Sequence, residues 1–127
     1  MDVAEVLEAV EDCGAGGVNV FIGKVRDHDG GRSVLGLDYS AHPTASERMR
    51  EVCHLVAARH EVAALAAVHR VGSLQIGDVA VVVATSGAHR GDTFAATRDL
   101  IDILKAEVPI WKRQRFDDGD QEWVGTP

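Results

Sequence analysis

The run from Val79 to Thr85 constrains the fold more than any other part of the sequence, because its seven residues are apolar or β-branched without a charged interruption. Such a run is typical of a central strand that is buried on both faces of a sheet. The rest of the chain must therefore supply elements that cover both faces. A length of 127 residues is enough for one domain with such a core.

Apolar spacing predicts the elements around this strand. The pattern of one buried helical face predicts helices over residues 3–10, over about 43–59, and from a cap at Asp92 or Thr93 to Pro109. Alternating or β-branched segments predict strands over 18–26, 34–39, 62–71, 79–85, 110–116 and 122–124. Three helices interspersed with five or six strands indicate an α+β fold, and we expect one domain over residues 1–127.

Composition excludes several functional classes. The formal net charge of −7 argues against a general nucleic-acid binder, which needs a basic surface. The longest apolar stretch, residues 62–68, is far shorter than a membrane span. The chain opens with acidic residues, unlike a secretory signal, so we expect a cytoplasmic protein. The two cysteines and six histidines form no metal-ligand pattern, and no nucleotide-binding glycine motif is present, so no metal or resident cofactor is predicted.

A local basic segment stands out against this acidic background. Residues 105–115 contain four cations, Lys105, Lys112, Arg113 and Arg115, against one acid. Lys105 lies in the last turn of the third predicted helix and Lys112 follows the break at Pro109, so both can face one space. Two interpretations stay open. In one, the lysines are ordinary surface residues and Trp111 is a core residue. In the other, Trp111 forms the wall of an anion-binding pocket that the lysines share.

Three further cations lie where loops can present them. His89 and Arg90 follow the central strand and precede a helix, a common place for anion contacts. Arg26 ends the first predicted strand. Each could equally be an ordinary surface or capping residue. The pair His69-Arg70 lies inside a predicted strand, so its two side chains must point to opposite faces.

Taken together, the motifs resemble one family. In order along the chain they are Phe21 to Arg26, Leu37 to Tyr39, His69 to Gly72, Gly77-Asp78, Ala88 to Arg90, Asp102 to Lys105 and Val108 to Lys112. They are similar to motifs of the large, catalytic subunit of molybdopterin synthase, and the resemblance covers about residues 15–124. The resemblance implies an α/β hammerhead fold with an added antiparallel β subdomain.

The resemblance also implies partners and a reaction. Members of the family form a homodimer that carries a small ubiquitin-like sulfur-carrier subunit on each chain, which gives a heterotetramer. We expect the carrier to be a separate chain. The implied reaction converts cyclic pyranopterin monophosphate to molybdopterin, with two sulfurs taken from the thiocarboxylate at the carrier's C-terminal glycine. Molybdenum enters only at a later step.

Residue roles follow from the same resemblance. Lys105 and Lys112 are the implied catalytic lysines. The implied substrate-binding residues are Arg26, His89, Arg90, Arg113 and Trp111. We hypothesise that a lysine crowded by these arginines and by its fellow lysine holds its proton less tightly and so approaches acid–base work at neutral pH.

The chain departs from the family pattern at three positions. Ser40 and His42 stand where the family commonly has a glutamate and a tyrosine, and Gln114 replaces a glutamate after the lysine and arginine. The last change leaves the lysines without an acidic partner in sequence. Two alternatives therefore stay open: a catalytically idle relative that binds a pterin phosphate or the carrier's tail, and an unrelated small-anion-binding regulatory domain.

Overall fold

A computed structural model describes residues 2–124, and that part of the chain forms three helices and eight strands. The helices are α1 (Val3–Ala9), α2 (Ala45–Arg59) and α3 (Arg90–Glu107). The strands are β1 (Gly17–Lys24), β2 (His28–Asp29), β3 (Arg32–Ala41), β4 (Ala64–His69), β5 (Gly72–Gln75), β6 (Val79–Gly87), β7 (Ile110–Phe116) and β8 (Gln121–Val124). None of these helices is long and apolar enough to cross a membrane.

Strand β6 is the centre of a three-stranded antiparallel sheet with the order β1-β6-β4. Successive side chains of β6 point to opposite faces, so Val81 and Val83 pack in one cluster with α2 and α3 while Val82 and Ala84 pack in another with α1. Helices therefore cover both faces of the strand. This confirms the prediction that residues 79–85 form a central strand buried on both sides.

The second sheet is antiparallel and has the order β2-β3-β7-β8, with β5 paired to β3 as well. A third cluster joins the two sheets: Val25, Leu37, Leu74 and Ala80 are all buried in it. The segment that follows β1, the strand β3 and the strand β7 consequently meet near the C-terminal end of α3.

The predicted α+β class is confirmed, but some boundaries were wrong. Helix α3 begins at Arg90 with His89 as its N-cap residue, not at Asp92 or Thr93. The Thr93 hydroxyl instead donates to the carbonyl of Arg90 inside the first turn. The short strands β2 and β5 were missed, so eight strands replace the five or six expected in the described part of the chain. The hammerhead description stays a prediction.

Candidate functional site

A cavity of about 520 Å³ opens between the two sheets, beside the last turns of α3. Apolar residues form much of its wall, among them Phe21, Leu37, Ile101 and Leu104. The polar residues of its lining are Lys24, Arg26, Tyr39, His69, Lys105, Lys112 and Gln114. No aspartate or glutamate occurs among the described residues that line it. The volume is typical of a pocket for a small organic ligand.

The charge of this cavity is unusual for the chain. The sequence contains only three lysines, Lys24, Lys105 and Lys112, and all three line the cavity together with Arg26. A protein with a net charge of −7 thus collects four cations around one opening. Such an arrangement favours an anionic ligand.

Local structure explains how the two predicted lysines converge. Lys105 lies in the last turn of α3, where a cation is favoured by the helix dipole. Helix α3 ends at Glu107, and its C-cap residue Val108 is extended with φ −84° and ψ 125° because it precedes proline. The chain then enters β7, and Lys112 faces back into the same cavity. The expectation that the two lysines share one space is confirmed.

Lys24 and Arg26 reach the cavity through an irregular end of β1. The register of β1 against β6 shifts between Gly23 and Lys24. Gly23 is required there, because a Cβ atom at this position would lie 2.6 Å from Cγ1 of Val81. The distortion turns the end of the strand into the cavity wall.

Lys112 is the lysine whose proton affinity the structure perturbs. Burial lowers the pKa of Lys112, and the nearby charges of Lys105 and Arg26 lower it further, while the carboxylate of Asp29 raises it. The direction agrees with the hypothesis made from the sequence, but the main cause is desolvation rather than crowding by like charges. Arg90 and Arg113 play no part in it.

His69 and Tyr39 form a pair in the cavity wall that sequence reasoning did not assign to the site. The two rings meet edge to face with centroids 4.7 Å apart. Nδ1 of His69 lies 2.6 Å from the carbonyl oxygen of Arg70, so Nδ1 carries the proton and donates it. Nε2 is then the acceptor nitrogen of the neutral ring, and His69 lines the cavity.

The same pair is held in its neutral forms. Burial is the main cause that lowers the pKa of His69; the hydrogen bond to the carbonyl of Arg70 raises this pKa, and the charge of Lys105 has a smaller lowering effect. Burial also raises the pKa of Tyr39. His69 is thus a neutral imidazole near pH 7, with Nε2 as its acceptor nitrogen.

Arg113 and Trp111 do not line this cavity. Residues of β7 alternate between faces, so a cavity-facing Lys112 turns both of its neighbours to the other side of the sheet. There Nη2 of Arg113 donates to Oδ2 of Asp38 at 3.0 Å. Trp111 lies against His42, with ring centroids 6.5 Å apart.

His89 and Arg90 also lie apart from the cavity of their own chain. They are exposed at the beginning of α3, whereas the cavity is at the end of that helix. No group of three or more histidine, cysteine, aspartate or glutamate side chains within residues 2–124 is arranged to hold a metal ion.

The three departures from the family pattern fall in different places. Ser40 and His42 are exposed and do not line the cavity. Gln114 does line it and is only 3% exposed. Nε2 of Gln114 donates to Oδ2 of Asp29 at 2.7 Å, so a residue of the cavity holds a carboxylate that does not itself line the cavity. It comes from β2 rather than from β7.

Comparison with known proteins identifies the family. Residues 1–107 match the family model described as MoaE protein. The chain belongs to the MoaE family. Among relatives of this MoaE-family chain, molybdopterin synthase catalytic subunit 1 of Mycobacterium tuberculosis is 43% identical over 126 residues, which are 98% of this chain and 85% of the relative. The molybdopterin synthase catalytic subunit of Halalkalibacterium halodurans is 40% identical, with coverage of 97% and 79%.

Solved structures place the MoaE-family chain among the same proteins. The crystal structure of molybdopterin synthase from Staphylococcus aureus matches with a TM-score of 0.92 and 32% identity, over 98% of this chain and 91% of that one. The complex of subunits 1 and 2 of molybdopterin-converting factor from Helicobacter pylori matches with a TM-score of 0.76 and 22% identity, over 100% and 88%. The second match shows a shared fold.

Proposed function

We propose that this chain is the catalytic subunit of a molybdopterin synthase and converts cyclic pyranopterin monophosphate to molybdopterin. The sulfur comes, on this proposal, from the thiocarboxylated C-terminus of a small carrier subunit. The observation that carries the proposal is the collection of all three lysines and Arg26 around one cavity. The names of the relatives support it.

The cavity suits a phosphorylated pterin in size and charge. Its apolar walls can cover a flat heteroaromatic ring, and its four cations can hold a phosphate. Opening the cyclic phosphate makes that group more negative, so the same cations stabilise the product side of the reaction. Arg26, which has a planar guanidinium, is the residue best suited to hold the phosphate.

The transfer of sulfur uses Lys105, Lys112 and His69. In each transfer the carrier's sulfur bonds to a carbon of the substrate and an oxygen leaves that carbon, as the ring-opened phosphate in one transfer and as water in the other, so that a thioester links carrier and substrate. Water then adds to the acyl carbon, the bond from that carbon to sulfur breaks, and the carrier leaves as a carboxylate. Lys105 and Lys112 stabilise the oxyanion of the tetrahedral intermediate and return protons to it. His69, neutral with Nε2 as its acceptor nitrogen, accepts the proton of the attacking water.

His89 and Arg90 belong, on this proposal, to the cavity of a second copy of the chain in a homodimer. Mixing two inactive variants tests this. If Arg90 acts across the dimer, an equimolar mixture of Lys105→Ala and Arg90→Ala chains regains about a quarter of the wild-type rate, because half of the dimers are mixed and each has one intact cavity. If Arg90 acts within its own chain, the mixture stays inactive.

Reconstitution tests the function itself. The purified chain is combined with thiocarboxylated carrier and cyclic pyranopterin monophosphate, and molybdopterin is quantified. Wild type should form product, and Lys105→Ala and Lys112→Ala should each lose roughly 100-fold or more. Arg50→Ala, at an exposed position of α2 that does not line the cavity, is the matched control and should keep the wild-type rate.

A catalytically idle relative, the alternative that the sequence leaves open, would give a different result in the same experiment. An idle relative forms a complex with the carrier, detectable by size-exclusion chromatography, and binds the pterin phosphate without releasing molybdopterin. That outcome would contradict the proposed function. The position to examine first is then Gln114, the one departure from the family pattern that lines the cavity.

A further inference from the structure

The hydrogen bond between Gln114 and Asp29 connects a residue of the cavity with a distant part of the chain that lies outside the cavity lining. Gln114 is buried on the cavity face of β7, two residues after Lys112. Asp29 lies on β2, at the tip of the hairpin that β2 forms with β3. The bond between them is 2.7 Å long, and Nη2 of Arg26 lies 3.4 Å from the other carboxylate oxygen of Asp29. Asp29 is thus held by one neutral donor and one cation.

The charge of Asp29 acts on Lys112. Of the charged groups that influence Lys112, Lys105 and Arg26 disfavour its protonated form and Asp29 alone favours it. Lys24, Tyr39 and His69 line the same cavity. The hydrogen bond from Gln114 and the surrounding cations lower the pKa of Asp29, so its carboxylate stays ionised at neutral pH.

An amide at position 114 fits this arrangement better than an acid. A glutamate there would put a second carboxylate in hydrogen-bond contact with Asp29, and two such groups cannot both ionise without mutual repulsion. The glutamine instead donates to the carboxylate and fixes its position. The negative charge that this site needs therefore stands at position 29 in this chain.

We propose that Asp29 is a positioning residue of the active site: held by Gln114, it provides the negative charge that offsets the cations around Lys112. The inference rests on the function proposed above and names a residue for it that lies outside the predicted site. Asp29 acts through Lys112 and does not itself contact the reacting atoms.

Exchanging the carboxylate at position 29 with the amide at position 114 tests the proposal. Asp29→Asn removes the charge but keeps a group that can hydrogen bond to Gln114, so it should lower turnover roughly tenfold, the scale of losing one interaction with a charged group. The alkaline limb of the pH–rate profile should also move to lower pH, because Lys112 loses its proton more easily. The double variant Asp29→Asn with Gln114→Glu restores one carboxylate and one amide, and should regain most of the lost rate and the original profile.

Asp27→Asn is the matched control. Asp27 lies two residues before Asp29, is exposed, and is paired with His28 at 2.9 Å. It should leave the rate and the profile unchanged. Wild-type behaviour of Asp29→Asn, or a double variant no better than Asp29→Asn alone, would overturn the proposal.

A second measurement separates this inference from the proposed function. Because the chain has three lysines, ¹³Cε-lysine labelling gives three side-chain signals, which Lys24→Arg and Lys105→Arg variants assign. Titration should show a lower pKa for Lys112 in Asp29→Asn than in wild type, and a return in the double variant. Identical titration curves in all three would refute the role of Asp29. The result does not depend on whether the chain makes molybdopterin.

Discussion

Asp38→Asn is expected to destabilise the protein without damaging its site. Oδ2 of Asp38 accepts from Nη2 of Arg113 at 3.0 Å and from Nη1 of Arg115 at 2.6 Å, which ties β3 to β7 on the face opposite the cavity. Buried charge-assisted bonds contribute about 1.5–3 kcal/mol each. Here the aspartate side chain is 23% exposed and the arginines 39% and 32%, so solvent screening reduces that figure. We expect a total loss of about 1–2 kcal/mol.

The pH dependence of that loss has a defined sign. Hydrogen bonds from Arg113 and then Arg115 lower the pKa of Asp38. A carboxyl group whose pKa is lowered by folding stabilises the folded state above its unfolded pKa of about 3.9, and that contribution disappears as the pH falls through the folded pKa. The difference between wild type and Asp38→Asn is therefore complete at pH 7 and shrinks below about pH 4.

Urea denaturation at pH values from 7 down to 3 measures this difference, and thermal melting at pH 7 should show a fall in Tm of roughly 4–8 °C. The rate of the folded enzyme should be unchanged, because Arg113 and Lys112 point to opposite faces of β7. A stability difference that stays constant with pH would refute the ion-pair reasoning. A large loss of activity without a loss of stability would return Arg113 to the substrate-binding set.

Three further outcomes are expected. His69→Gln should lower turnover by about 100-fold and remove the acidic limb of the pH–rate profile. In wild type the rate falls at pH values below about 6.5, because the imidazole must be neutral to accept a proton. An unchanged acidic limb in steady-state assays would contradict this role of His69. Lys105→Arg should bind substrate but turn over poorly, because arginine keeps its charge and does not release a proton; full turnover would exclude proton transfer by Lys105. Leu100→Ala, at a fully buried position of α3, should cost about 2–5 kcal/mol in urea unfolding, and a loss below about 1 kcal/mol would contradict the packing described.

Elements with strong local signals were predictable from the sequence. The β-branched run gave β6, and the proline after Val108 gave both the end of α3 and the beginning of β7. Strand β5 was missed because its four residues, Gly72–Gln75, carry no pattern of their own and are ordered by pairing with β3. The start of α3 was misplaced because His89, its N-cap residue, makes no side-chain capping hydrogen bond.

The residues of the site likewise include some that the sequence predicted and some that it did not. Lys105, Lys112 and Arg26 were predicted and do converge. Lys24 and His69 were missed, because only the folded chain brings the ends of β1 and β4 to the same cavity. One sequence signal was available for Lys24: ten arginines serve as the other cations of this chain, so each of its three lysines is exceptional.

The rule of alternation already separates two of the predicted residues from the cavity of this chain. In a strand, neighbours of a cavity-facing residue point away from the cavity. Once Lys112 is placed in the site, Trp111 and Arg113 cannot share its face, and the structure places them on the other side of the sheet. The position of Asp29 could not be deduced in this way, since its bond to Gln114 spans 85 residues.

The central claim is that the cavity lysines of this chain transfer sulfur to a pterin. Carrier labelled with ³⁵S in its thiocarboxylate tests it directly, in a single turnover with cyclic pyranopterin monophosphate. Wild type should move the label into a dithiolene pterin and release unlabelled carrier carboxylate, while Lys105→Ala and Lys112→Ala should bind the carrier and leave the label on it. Equal transfer by the lysine variants, or none by wild type, would contradict the claim.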